Sequence, residues 1–425
     1  MSPSCLRRGP WCALKLTFLG GAEEVGSLGV VLETDERKVL FDYGFSPHDP
    51  PTYPLEPPAL DGLMLSHAHL DHSGMVAWAA GRRRCPVFAT RPTQYVTELL
   101  ARDSLKIAGL EGYPEPFTRE DIETLQHAWV DVRLGRSFEL DGLEVTPTSA
   151  GHIPGSTMFL VEGEDRTLFT GDLNTIPTRL MAPAKPVSCD TLIVESTYAG
   201  REHRPRREIE SEFLDAIDAV VERGGVAVVP AFAVGRTQEV LLVLQRGGYE
   251  VWLDGMGRSV CEIYLDHPES VKDFPALEAA YEAANVVRNP KSREMALKGD
   301  VIVTTSGMVE GGPVFYYLSK MERDRKSALF LTGYQVPGTG GRQILDEKRY
   351  EGDSGIHEVA CEVRQFDFSA HLGHSQLLKF IRDCDPQRVA LVHGDKRELI
   401  ATEIDKEFDV ILGRKGQTVE RKAGR

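Results

Sequence analysis

The sequence predicts an α/β protein with layered sheets, and three observations carry that expectation. Short β-rich apolar runs recur: LKLTFLG, VLFDYG, LMLSHAH, LFTGD, TLIVEST, VAVVPAF, VIVTTSG, ALFLTGY and VALVHGD. Each ends in a polar or glycine-containing turn, and helical patterns lie between several of them. Chemically reactive side chains sit just after the strand ends, in loops, where α/β folds mount reactive groups on a rigid support.

The helical patterns have their own logic. Ile209, Phe213, Ile217, Val220 and Val221 share one helical face, and Gly224-Gly225 supplies the stop. With 425 residues, 41% of them hydrophobic, the chain can bury cores for two domains. A composition shift near residue 200 (YAGREHRPRRE) reads as a domain entrance, and histidine-bearing strand ends return at FSAH and VHG. The expected organisation is a first domain over 1–200, an inserted α/β unit over 201–358, and completion of the first domain by 359–425.

Composition narrows the function classes. No stretch approaches a membrane span. Lys15 interrupts the apolar patch near the N-terminus, and LKLTFLGG alternates like a strand, so a cytoplasmic address is expected instead of secretion. The seven cysteines (5, 12, 85, 189, 261, 361, 384) form no CxxC pair, which argues against a disulfide framework or a cysteine zinc site. A formal charge of −15 argues against a generally basic nucleic-acid coat, and so counts mildly against a nucleic-acid ligand, but leaves room for a local cationic groove.

The sharpest motif is Ser66-His67-Ala68-His69-Leu70-Asp71-His72, between the strand-like GLMLS and the helical SGMVAWAAG. Imidazole nitrogen and carboxylate oxygen suit zinc. A turn lets His67 and His69 serve one metal while Asp71 and His72 serve a second. The bland alternative is a histidine-rich surface loop, which four donors within six residues make hard to sustain. His152 in TSAGHIPGS, Asp172 ending LFTGD and His393 ending VALVHG extend the set. Alone, each would read as a capping or hydrogen-bonding residue. The histidines at 48, 127, 203, 267, 357 and 374 have no ligand spacing, although His374 lies near His371.

These motifs resemble the metallo-β-lactamase superfamily, whose fold is a four-layer αββα sandwich with metals at one edge. The resemblance implies two Zn2+ ions. His67, His69 and His152 would hold one, Asp71, His72 and His393 the other, and Asp172 would bridge them. Asp42 in VLFDYG matches the family's first motif, as a carboxylate that orients a ligand histidine. Over nearly its whole length the chain resembles the β-CASP branch of nucleic-acid-processing nucleases. Glu195 in LIVESTY, His371 in FDFSAH and His393 in LVHG match that branch's extra motifs. PAFAVGRTQEVL, TTSGMVEGGPV and LTGYQVPGTGGR resemble its insertion. Within the branch it looks most like the archaeal relatives of the cleavage and polyadenylation specificity factor nuclease.

There are departures. The KH domains that archaeal members often carry and the appended C-terminal domain of bacterial RNase J have no counterpart in this sequence. Substrate grip is therefore expected from the insertion, a homodimer, or a partner in an RNA-processing complex. Ala199 stands where a glycine is common, and Leu372-Gly373-His374 follows FSAH where an acidic residue is more usual.

The resemblance implies a zinc-dependent ribonuclease on single-stranded RNA, endonucleolytic, 5′→3′ exonucleolytic or both, in RNA 3′-end processing or turnover. Asp71 and Asp172 would flank the attacking hydroxide, His371 would protonate the leaving 3′ oxygen, and Glu195 would hold that imidazole. Candidate phosphate contacts are Arg236, Ser306, Gly307, Gly338, Thr339 and Arg342. The alternatives are a small-molecule hydrolase of the same fold or a partner-dependent subunit of an RNA-processing complex. The insertion and the Glu195/His371 pair argue against the first, and the full ligand set argues against a non-catalytic subunit.

Overall fold

The computed structural model describes residues 14–34, 37–47, 50–163, 165–352 and 355–420. Cys5, Cys12 and His48 lie outside the described residues. All nine apolar runs form strands, because each is a short run of buried side chains closed by a turn.

Two seven-stranded sheets face each other. The first runs, edge to edge, Thr418–Glu420, Lys15–Gly20, Gly29–Glu33, Lys38–Phe41, Gly62–Met64, Val87–Ala89 and Trp129–Asp131. The second runs Asp409–Ile411, Arg388–Val392, Thr191–Glu195, Arg166–Phe169, Thr157–Glu162, Leu143–Ser149 and Phe138–Leu140. Phe18, Phe41, Phe159 and Phe169 fill the space between them, with Phe41 and Phe169 stacked at 4.7 Å. The helices Val76–Arg83, Arg91–Glu111 and Arg119–Ala128 cover the outer face of the first sheet. His374–Cys384 and Arg397–Ile404 cover that of the second. The result is the four-layer αββα sandwich. The C-terminal segment adds strands to both sheets.

Between its two halves runs the inserted unit. Its six-stranded parallel sheet has the order Asn285–Val286, Val251–Asp254, Val301–Thr304, Ala227–Pro230, Ala328–Leu331 and Glu362–Gln365. The last strand lies past residue 358, so the third sheet extends beyond the expected return point. Its Glu-Val-Arg-Gln sequence is a half-exposed edge and gives no apolar run to read. The helix Arg206–Glu222 opens the insertion and buries Ile209, Phe213, Ile217 and Val220, the face seen in the sequence. Its stop is Gly224, whose φ of 70° favours glycine.

Phe213 sits fully buried among Phe330, Phe366 and Phe368, all edge-to-face at 5.1–6.3 Å. This cluster joins the entrance helix to the segment that returns towards FSAH. Phe213→Ala should destabilise the protein by about 3–5 kcal/mol through lost burial and a cavity. Chemical denaturation checks this, and a midpoint equal to wild type would contradict the packing role.

Candidate metal centre

Ligand geometry follows from backbone shape. His67 and His69 are two apart in an extended stretch, so their side chains share a side. The chain then turns into the single helical turn Leu70–Ser73, capped by His69, which swings Asp71 and His72 elsewhere. The strand end after Phe41 pins that turn. Tyr43 N–H donates to the His72 carbonyl at 2.7 Å, Phe45 N–H to Leu70 at 3.0 Å, and Leu28 N–H to Asp71 at 2.8 Å. Only glycine fits at Gly44, where a Cβ would lie 1.8 Å from the Asp71 carbonyl oxygen. Gly171, beside Asp172, is similar: φ is 55° and a Cβ would lie 2.4 Å from Ser66 Oγ.

Three imidazoles and one carboxylate converge. His69 Nδ1 lies 3.1 Å from His67 Nε2 and 3.2 Å from His152 Nε2. Asp172 Oδ2 is 3.5 Å from His67 Nε2 and 3.7 Å from His152 Nε2. The outer nitrogens decide what the inner ones can be. His152 Nδ1–H donates to the Ala370 carbonyl at 2.9 Å. His69 Nε2 faces the Val234 carbonyl at 3.5 Å. Ser66 Oγ donates to Asp42 Oδ2 at 2.7 Å and so accepts from His67 Nδ1–H at 3.0 Å. Each ring thus spends its proton outwards, and three lone pairs point at one another. Such an arrangement repels unless a cation sits among them. Nitrogens about 2.0–2.1 Å from a tetrahedral zinc lie roughly 3.3 Å apart, close to the spacing here.

A second group faces the other oxygen of Asp172. His72 Nε2 lies 3.3 Å from Asp172 Oδ1, and His393 Nε2 lies 3.3 Å from Asp71 Oδ2 and 3.9 Å from Asp172 Oδ1. His72 Nδ1–H donates to Asp42 Oδ2 at 2.7 Å, so in the neutral ring that a metal would bind it is Nε2 that carries the lone pair. His72 Nε2 and Asp172 Oδ1 are both buried without a hydrogen-bond partner. Two buried acceptors aimed at each other fit a divalent ion between them, so the donor set suits a pair of metals.

The electrostatics agree. Burial, reinforced by the neighbouring histidines, holds His67 and His152 well below the ordinary histidine pKa, so both stay neutral. Burial also opposes a charge on His72, but Asp172 and Asp71 outweigh it and raise its pKa well above the usual value. This carboxylate-rich half of the site is short of positive charge.

Glu195 and His371 lie beside this centre. His371 Nδ1 is 3.0 Å from Glu195 Oε2 and 3.9 Å from Asp172 Oδ2. Burial lowers the His371 pKa, but the Glu195 and Asp172 carboxylates prevail and raise it to about 9. Glu195 is fixed by the Leu173 N–H at 2.7 Å and by the Thr197 hydroxyl.

The centre forms the floor of a cleft of about 420 Å³ between the sandwich and the insertion. Of the six candidate phosphate contacts, Arg236 and Thr339 line it. Ser306, Gly307 and Gly338 do not line it, although Gly307 and Gly338 adjoin the lining residues Met308 and Thr339 in the chain. Arg342 is turned into a bidentate pair with Asp346, one helical turn on, at 2.5 and 2.7 Å. That i, i+4 spacing was readable in the sequence, and it removes Arg342 from the lining. His374 accepts from Gly200 N–H at 2.9 Å and pairs with Glu403, away from the centre. Ser66, Thr197, Arg206 and Glu239 have site roles that no sequence pattern pointed to. Arg206 donates to the Ser369 carbonyl at 3.2 Å and to Glu239 at 2.7 Å, tying the insertion to the loop of His371. Arg206 in particular meets partners at 239 and 369, too distant in sequence for any local pattern to reveal.

Asp42 holds Ser66 N–H at 2.6 Å as well as the Ser66 hydroxyl and His72, so one carboxylate orients both halves of the centre. Asp42→Ala should weaken metal affinity by about 10–100-fold. A chelator competition titration reads this directly, and unchanged affinity would remove Asp42 from ligand orientation.

The geometry agrees with what sequence and fold comparisons find. Residues 37–230 match the beta-lactamase superfamily domain, 237–344 the beta-Casp domain, and 356–410 the Zn-dependent metallo-hydrolase RNA specificity domain. The chain is 36% identical to the RNase aCSPSF2 of Saccharolobus solfataricus, over 95% of this chain and 85% of that one. It is 32% identical to the probable RNase MJ4 of Methanocaldococcus jannaschii, over 96% and 100% respectively. It is 31% identical to the transcription termination factor FttA of Thermococcus kodakarensis, over 93% and 69%. A crystal structure of a protein of unknown function from Enterococcus faecalis V583 shares the fold, with a TM-score of 0.63 at 14% identity, covering 96% of this chain and 100% of that one. With two converging ligand sets at the edge of an αββα sandwich and an insertion closing over them, the chain belongs to the β-CASP family of metallo-β-lactamase-fold nucleases.

Proposed function

We propose that this chain is a two-zinc ribonuclease that hydrolyses phosphodiester bonds of single-stranded RNA. The observation that carries this reading is the double set of inward lone pairs around Asp172, beside a protonated histidine–carboxylate pair. Relatives that bear the names of RNases and of transcription termination factors favour RNA 3′-end processing or turnover as the setting. No described helix is long and apolar enough to cross a membrane. We place the activity in the cytoplasm, where the five described cysteines, all buried and free, would stay reduced.

His67, His69 and His152 would hold one zinc and Asp71, His72 and His393 the other, with Asp172 shared between them. When bound, such a pair supplies charge relief at phosphorus and lowers the pKa of a water molecule towards ~7. His371, at the cleft wall and holding its proton at neutral pH, donates that proton to the leaving 3′ oxygen. Glu195 turns the imidazole by gripping Nδ1, so Nε2 is the donating atom. Arg236 forms no ion pair among the described residues, and its Nε has no partner. Burial lowers its pKa only to about 10, so it presents an unspent charge to a phosphate.

His371→Ala should slow RNA cleavage severely, by about 10²–10⁴-fold, while leaving bound zinc near wild type. His67→Ala should lose both, and equal metal loss in the two variants would make His371 a ligand. Glu195→Gln removes the charge that raises the His371 pKa. The basic limb of the kcat/KM–pH profile should therefore move to lower pH, whereas an unmoved limb would separate Glu195 from the proton donor.

A further inference from the structure

We propose that Phe232, with Tyr334 beyond it, forms a stacking platform for the bases of single-stranded RNA next to the cleaved phosphate. Phe232 is 37% exposed and lines the cleft. A lone exposed phenylalanine is ordinary on a protein surface; its placement here is not. Two residues on, the Val234 carbonyl faces His69 at 3.5 Å, and two further is Arg236. One turn of the insertion therefore presents a ring, a contact to a metal-ligand histidine and an unpaired guanidinium to the same space.

The backbone of Phe232 is fixed in place. Its carbonyl accepts both the Thr237 N–H at 3.0 Å and the Thr237 hydroxyl at 2.8 Å. Gly307 and Gly333 pack against the Phe232 ring, where a Cβ would lie 3.2 Å from Cγ and 3.4 Å from Cε2. The glycines support the ring without side chains that would cover it. Neighbouring Tyr334 also lines the cleft, and the Arg201 guanidinium lies 4.7 Å over its ring. Aromatic rings beside arginines, in a groove that ends at a phosphate-cutting centre, are how single strands are gripped without base-edge readout. Stacking needs only a π-face, so this platform predicts weak base preference. It also ranks single strands above duplexes, whose bases are already stacked.

The inference rests on RNA being the substrate, so binding and cleavage are measured separately. Zinc-loaded wild type, Phe232→Ala, Phe232→Tyr and Tyr334→Ala are titrated against a labelled single-stranded RNA octamer by fluorescence anisotropy. Phe232→Ala should bind roughly tenfold more weakly, Tyr334→Ala should also weaken binding, and Phe232→Tyr should stay near wild type. Oligomers with one abasic ribose, moved stepwise along the strand, should lose affinity for wild type at one or two positions. Phe232→Ala should be indifferent at one of them. Wild-type affinity in Phe232→Ala, or an unchanged abasic profile, overturns the platform. Wild type that binds but does not cut RNA overturns the ribonuclease reading alone, while the binding series still decides the platform.

Discussion

The Asp172 carboxylate is 2% exposed, and its two oxygens face two different groups of histidines. A carboxylate buried this deeply is costly unless positive charge meets it on both sides. The protein provides only part of that charge. His67 and His152 stay neutral through burial, and His72 and His371 gain protons because carboxylates surround them. A divalent ion held by these residues would supply the missing charge, so folding of the centre and metal binding would be linked. Strained backbone at both ends of the site belongs to the same constraint. Asp42 and His393 hold φ values of 52° and 53°, uncommon for residues with side chains, because their carboxylate and imidazole must point inwards from strand ends.

The insertion does more than roof the cleft. Of the three imidazoles around Asp172 Oδ2, His69 is met on its outer nitrogen by a carbonyl of the inserted unit, Val234. His152 is met by Ala370, in the loop that returns from it. Arg206 and Glu239 clamp that loop and the Arg179–Leu180 backbone together, with Glu239 accepting the two N–H groups at 3.0 and 2.8 Å. Ligand tautomers and the placement of His371 thus depend on how the two units dock. This couples substrate entry to the chemistry.

Much of this was legible in the sequence, for identifiable reasons. Central strands are short runs of buried side chains, so LFTGD or VALVHGD announce both the strand and the polar residue after it. Edge strands such as Trp129–Asp131, Thr418–Glu420 and Glu362–Gln365 are short and partly exposed, and nothing in their composition sets them apart from loops. The candidate ligands stood out because metal chemistry restricts residue type and spacing, and the structure brings them together. Ser66 was not, since a serine before a histidine says nothing until Asp42 is brought to 2.7 Å. Arg236 and Arg342 looked alike as cations, yet Arg342 is paired with Asp346 one turn away, whereas Glu239, one turn from Arg236, is taken up by Arg206.

The formal charge of −15 counted against a nucleic-acid ligand, and the structure shows why the sum misleads. Many surface arginines are spent on neighbouring acids, as in Arg204 with Glu208 and Glu212 or Arg382 with Glu407. Such exposed pairs contribute little field at a distance, because solvent and salt screen them within about 10 Å. What a phosphate meets is the local potential of the cleft. There Arg236 forms no ion pair among the described residues, and metal bound by the histidine clusters of the same cleft would add positive charge. Attraction of this kind is short-ranged and confined to the floor, so it cannot hold a strand along its length. A chain with an acidic exterior therefore needs a neutral grip on the flanking nucleotides, and exposed rings beside the metal centre supply one that net charge does not record.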